Sequence, residues 1–123
     1  MTVCRGIRGA TVAAENTAEA IYEATRELLS KLIESNEIEE QDVAAAYFTM
    51  TPDLNACFPA AAARQLGWNN TALMGAIEVD VPGSLKKCIR VLILVNTDKV
   101  PAELVNLYLN GTSVLRLQGV EST

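Results

Sequence analysis

The sequence predicts an α+β fold, a β-sheet with one long amphipathic helix and shorter helices on one face. Three observations predict it. Residues 17–35 carry apolar side chains at helical spacing, several other runs are rich in β-branched and apolar residues, and the elements follow in the order strand, long helix, strand, short helix, strand, strand, short helix, strand. No repeat, low-complexity tract or linker interrupts them. A chain of 123 residues is expected to form one domain, residues 1–123, and can bury about 60–70% of its unfolded surface.

The opening segment, residues 3–10, reads as a strand carrying Arg5 and Arg8 beside glycines. Three residues apart, the two arginines face opposite sides of a regular strand, so at most one enters any given site. Asn16 or Thr17 serves as N-cap of the long helix, in which Ile21, Ala24, Leu28 and Leu32 form the inner stripe. Residues 43–51 read as a buried strand stopped by Pro52-Asp53. A short helix is expected over 58–67, with Pro59 in its first turn and Gly67 at its C-cap. Strands follow at about 71–79 and 87–97, joined by the turn at Val81-Pro82-Gly83-Ser84. Residues 101–109 suit a further short helix and 113–117 a last strand.

Composition narrows the chemistry. The chain has no histidine, which excludes Ser-His and Cys-His nucleophile pairs, His-bearing zinc sites and the usual acid-base group near neutral pH. Cys4, Cys57 and Cys88 are widely spaced and odd in number, and read as small buried hydrophobes in a reducing compartment. Half of the residues are apolar and 20% are charged, so a symmetric homo-oligomer is expected to cover part of the surface. The net charge of −5 comes from residues 15–42, where nine acids meet two bases, a solvated helix face that leaves the rest able to form a cationic site. Without a basic stripe or interleaved aromatics, nucleic acid is not an expected partner. The longest uncharged run, residues 65–77, has 13 residues and is too short for a membrane span, so a cytoplasmic protein is expected.

Arg90 stands inside Cys88-Ile89-Arg90-Val91-Leu92-Ile93, a run that otherwise reads as core. An arginine there must either emerge at a sheet edge or meet an anion, in a structural ion pair or in a ligand. Glu78, isolated after the uncharged run, could pair with Arg90 or accept from a substrate hydroxyl. Arg8, Arg64 and Arg116 are further single cations in small or apolar settings, and arginine suits bidentate recognition of carboxylates. A dinucleotide fingerprint is not present at Gly6-x-x-Gly9, which lacks the third glycine and the strand-to-helix setting.

Four segments together resemble a known family: Arg5-Gly6-Ile7-Arg8-Gly9-Ala10-Thr11; Thr51-Pro52-Asp53-Leu54 running into Phe58-Pro59-Ala60; Gly83-Ser84-Leu85-Lys86-Lys87-Cys88-Ile89-Arg90-Val91; and Tyr108-Leu109 with Val114-Leu115-Arg116. In order and spacing they are similar to the small monofunctional chorismate mutases that form homotrimers. The resemblance covers nearly the whole chain. It implies a mixed sheet trimerising into a pseudo α/β barrel, and a Claisen-type [3,3] rearrangement of chorismate to prephenate in phenylalanine and tyrosine biosynthesis, with no metal or cofactor. Arg90 would donate to the ether oxygen and a side-chain carboxylate, and Arg8 and Tyr108 would bind that carboxylate. Glu78 would accept from the ring hydroxyl beside a wall formed by Met74, Gly75, Ala76 and Ile77. Phe58, Ala60 and Arg64 would come from the neighbouring subunit, and Leu115 and Arg116 would sit near the mouth under a flexible tail, residues 118–123. Gly75 stands where the family commonly has cysteine, Ala61 where it often has lysine, and Leu117-Gln118 replaces an Arg-Pro-Asp-type continuation. Two other readings fit the same features, a trimeric enamine or imine deaminase and a trimeric module that binds a small anion without turnover.

Overall fold

The structure, a computed structural model, describes residues 1–117; the tail expected at residues 118–123 lies outside them. Strand β1 (Val3–Val12) leads into helix α1 (Ala18–Asn36), and a 3-10 turn (Glu40–Asp42) opens β2 (Val43–Met50). Helix α2 (Ala60–Gln65), β3 (Leu73–Ile77) and β4 (Cys88–Thr97) follow, then a second 3-10 turn (Pro101–Glu103), β5 (Leu107–Tyr108) and a final helical turn α3 (Val114–Leu117). The strands form one mixed sheet in the order β3-β2-β4-β1-β5. Strand β4 is antiparallel to β1 and β2, while β2–β3 and β1–β5 are parallel.

Thr17 caps α1, accepting from Ala20 N at 3.1 Å. Asn16 is spent elsewhere: its Oδ1 accepts from the backbone of Asn55 and Ala56, tying the start of α1 to the loop after β2. The expected inner stripe holds, with Ile21, Leu28 and Leu32 fully buried and Leu29 beside them. Its leucines pack on Ile7, Phe48, Val91, Ile93 and Val95 and Ile21 on Ala13, Leu54 and Ile89, and each buried Leu or Ile contributes about 1.5–3 kcal/mol. Gly9 permits the close approach of α1, since a methyl there would come within 2.6 Å of Leu32 Cδ1 and 3.0 Å of Leu28 Cδ1. Helix α2 joins the same side through Ala60 and Ala63.

Two expectations near the C-terminus fail. Residues 101–109 do not form a helix: after the 3-10 turn the chain runs extended, because the open edge of β1 captures it. Arg8 N donates to Asn106 Oδ1 at 2.8 Å, Leu109 N donates to Ala10 O at 2.9 Å, and Asn36 brackets Val105 from α1. Residues 113–117 are not a strand, because β4 and β5 already occupy both edges of β1. Asn110 and Gly111, with φ of 55° and 85°, reverse the chain, and Leu115 N closes a turn on Thr112 O at 3.0 Å. Leu115 then packs with Ala10 and Cys88 on the sheet face opposite α1.

The cysteines also divide differently from the expectation. Cys88 is buried, but Cys57 is half-buried and Cys4 exposed. Cys4 pairs with Asn96 near the end of β1, on the face that α1 does not cover.

Candidate functional site

Alternation along β4 sends Ile89, Val91, Ile93 and Val95 into the core under α1 and turns Cys88, Arg90, Leu92 and Leu94 to the other face. The same alternation along β1 puts Arg5 on the α1 side and Arg8 on the face of Arg90, as the spacing predicts. Arg8 pairs with Leu92 and Ala10 with Arg90, which makes Arg8 a diagonal neighbour of Arg90. On that face the registers align one transverse row across all five strands: Tyr108, Ala10, Arg90, Thr49 and Ala76.

Arg90 is held within this row. Its Nε donates to Glu78 Oε2 at 2.7 Å, and the two side chains are 23% and 16% exposed. The Thr49 hydroxyl donates to the same carboxylate oxygen. Glu78 is itself placed by its backbone N–H, which donates to Met50 O at 2.9 Å just beyond β3. The alternatives raised for Arg90 therefore coincide in space, because the ion pair forms part of a cavity wall.

That cavity, of about 490 Å³, is lined by Arg90, Glu78, Thr51, Ser84 and Cys88 together with the apolar Val79, Val81, Pro82, Leu85 and Leu115. Its volume lies within the range of small-molecule sites, and its few convergent polar groups among apolar walls fit that class. A guanidinium and a carboxylate side by side can bind a ligand that carries both an anionic group and a hydroxyl.

A second set of bonds secures the rim. Thr51 Oγ1 donates to Asp53 Oδ1 at 2.5 Å and accepts from Cys88 N at 3.0 Å, while Lys87 N donates to Asp53 Oδ2 at 2.8 Å. Burial acts to raise the Asp53 pKa, but the Thr51 hydroxyl, the Lys87 amide, Asp53's own amide and the Lys86 charge together outweigh it and hold the carboxyl below its ordinary range.

Of the expected site residues, Arg90, Glu78 and Leu115 line this cavity. Tyr108 stands in the Arg90 row, and Arg8 stands on the same face in the adjacent row, opposite Leu92. Arg116 falls within α3, and its side chain lies outside the described part of the structure. Met74, Gly75, Ala76 and Ile77 form β3 and are exposed, with Met74 at 61% and Ile77 at 76%. Ala60 packs in the core beneath α1, and Phe58, Ala60 and Arg64 do not line the cavity of their own chain. Phe58 is 79% exposed, a bare aromatic ring.

Thr49, Thr51, Ser84, Leu85 and Cys88 are site residues that sequence reasoning does not reach. Cys88 carried a signal, since it lies two residues before Arg90 on a strand. Thr49 carried none, because its place beside Arg90 depends on the register between β2 and β4.

Comparison with known proteins identifies the family. The family model for chorismate mutase type I matches residues 4–118. The chorismate mutase of Thermus thermophilus is 50% identical over 113 residues, covering 91% of this chain and 93% of that protein. That of Bacillus subtilis is 45% identical, covering 91% of this chain and 89% of that protein. A solved chorismate mutase from Clostridium thermocellum superposes with a TM-score of 0.88 at 52% identity, over 90% of this chain and 99% of the other. Neither the deaminase nor the anion-binding reading is favoured by these matches. The chain belongs to the type I chorismate mutase family.

Proposed function

We propose that this chain, a chorismate mutase and hence an isomerase, rearranges chorismate to prephenate in the cavity beside Arg90, with Arg90 as the principal catalytic residue. The observation that carries the reading is the Arg90–Glu78 pair on the wall of an otherwise largely apolar cavity. The [3,3] shift transfers no proton to the protein and forms no covalent intermediate. A protein accelerates it by holding the compact substrate conformer and by stabilising charge on the ether oxygen as the C–O bond breaks ahead of C–C bond formation. Glu78 engages Nε, and the terminal nitrogens carry four of the five N–H donors of the guanidinium. These donors meet the ether oxygen and a side-chain carboxylate. Arg8 and Tyr108 bind that carboxylate from the same face, and Glu78 accepts from the ring hydroxyl.

The working unit is a homotrimer, each site completed by Phe58, Ala60 and Arg64 of the neighbouring subunit beside Met74, Gly75, Ala76 and Ile77, with Leu115 and Arg116 at the mouth. Exposed Phe58 and a sheet face bearing exposed Tyr47, Leu92 and Met74 support this assembly. The setting is cytoplasmic; among the described residues no helix is long and apolar enough to cross a membrane.

Subunit complementation tests the reading. Arg90→Ala and Arg64→Ala proteins, each deficient alone, are mixed, dissociated and reassembled. Random assortment in a trimer whose sites take Arg90 from one subunit and Arg64 from the next leaves about a quarter of sites intact. Chorismate absorbance should fall at roughly a quarter of the parent rate, with prephenate as product. No recovery in reassembled trimers would refute the shared site, and no chorismate turnover by the parent protein would refute the activity.

A further inference from the structure

We propose that Asp53 is a positioning residue for Arg90, its carboxylate fixing the junction between the cavity rim and β4 and so setting where the guanidinium stands. The inference rests on the reading of Arg90 given above. Asp53 is exposed on the turn after β2 and does not line the cavity, yet both of its oxygens are engaged, one by the Thr51 hydroxyl and the other by Lys87 N. Both partners lead to β4.

Lys87 has a φ of 51°, a left-handed conformation that a lysine holds only where its surroundings impose it. Asp53 grips its N–H at 2.8 Å, and its carbonyl accepts from Ala13 N at 2.8 Å. The peptide that joins the rim, residues 81–86, to β4 is thereby pinned from two sides. The second branch runs through Thr51. Its hydroxyl can accept from Cys88 N only when its own proton is directed elsewhere, and the Asp53 carboxylate takes that proton. Thr51 N also donates to Cys88 O at 3.0 Å, so Cys88 is gripped at both backbone groups. Cys88 and Arg90 are neighbours on one face of β4, and both line the cavity. A shift of the strand at Cys88 therefore moves Arg90 relative to the substrate.

A double-mutant cycle on the full chain decides the matter. Asp53→Ala should lower kcat by roughly 10- to 100-fold, the scale for a displacement on the order of 1 Å at the reacting centre, with KM changed less than about threefold because the loss falls on the transition state. Asp53→Asn keeps one acceptor oxygen and should lose less. In an Arg90→Ala background, Asp53→Ala should cost less than about twofold further, since residues acting as a unit are not additive. An unchanged kcat in Asp53→Ala would overturn the proposal, as would an equal fold-loss in both backgrounds. Should Asp53→Ala not fold, Asp53→Asn is carried through the same cycle under the same criteria. Full turnover by Arg90→Ala would overturn the reading of Arg90 and the proposal together, whereas loss in Arg90→Ala with none in Asp53→Ala would overturn the proposal alone.

Discussion

Replacing Arg90 with alanine should produce two separable losses. The first is structural. Removing the cation leaves Glu78, 16% exposed, with its charge uncompensated by its partner at 2.7 Å. Exposed pairs contribute about 0–1 kcal/mol, and stripping one partner from a buried pair costs about 3–5 kcal/mol. At this intermediate burial, with the Thr49 hydroxyl still donating to Glu78, the cost should be about 1–3 kcal/mol. The second loss is catalytic: one preorganised donor aimed at developing negative charge is worth about 10²- to 10³-fold, or about 2.7–4 kcal/mol. Adding Glu78→Gln to Arg90→Ala, with Glu78→Gln alone as the reference for the altered substrate contact, distinguishes them. It removes the unpaired charge, so the urea midpoint should recover most of the way to the parent value while kcat/KM stays low. Chorismate absorbance, with prephenate identified as product, reports the rate, and urea unfolding reports stability. Recovery of turnover together with stability would show that Arg90 acts only through the fold and would refute the assignment. Arg90→Lys should also be poor, because a compact ammonium on a flexible stem cannot reproduce the geometry of the planar fork.

Other perturbations test other parts of the structure. With no histidine in the chain and no proton in flight, kcat/KM should stay level between about pH 6 and 8, and an inflection near 6.5 would contradict the mechanism. Stability has a separate acid limb: a carboxyl whose folded pKa is depressed, as at Asp53, adds stability above its unfolded value of about 4 and loses it as pH falls through the folded value. Asp53→Asn should therefore flatten part of the fall in urea midpoint below about pH 4, and parallel profiles for the two proteins would refute that. Gly9→Ala should cost about 1–3 kcal/mol by overpacking against Leu28 and Leu32, seen as a lower thermal midpoint. An unchanged midpoint would show that α1 can move outward freely.

What the sequence makes legible depends on whether the signal is local. The long helix is readable because Ile21, Leu28 and Leu32 repeat with the helical period while the charged Glu23, Arg26, Glu27 and Lys31 fall between them. Arg90 and Glu78 stand out because each is a lone charge in apolar surroundings, and desolvation makes such a placement costly without a partner. The segment from residue 101 onward is misread because its conformation is set from outside. Asn106 and Leu109 are bonded to β1, and no periodicity within residues 101–109 encodes that edge. Along the chain Asp53 reads as part of a strand stop and of a family segment, with no role of its own, because Lys87, whose N–H it holds, lies 34 positions away.

The same distinction explains why sequence reasoning sets a structural Arg90 against a ligand-binding one. Along the chain the two roles compete for one charge. In the folded protein the structural bond uses one nitrogen of a planar group: Nε donates to Glu78 at 2.7 Å, and the proposed ligand role falls to the terminal nitrogens, which carry the remaining N–H donors. The structural bond orients the plane in which those donors lie, and an electrostatic catalyst needs its dipoles fixed before the reaction begins. On the proposed reading Glu78 has two tasks: it holds Arg90 at one oxygen, and its carboxylate receives the substrate hydroxyl. A reaction that exchanges no proton with the protein needs only such fixed charges, and in a chain without histidine arginine and glutamate supply them.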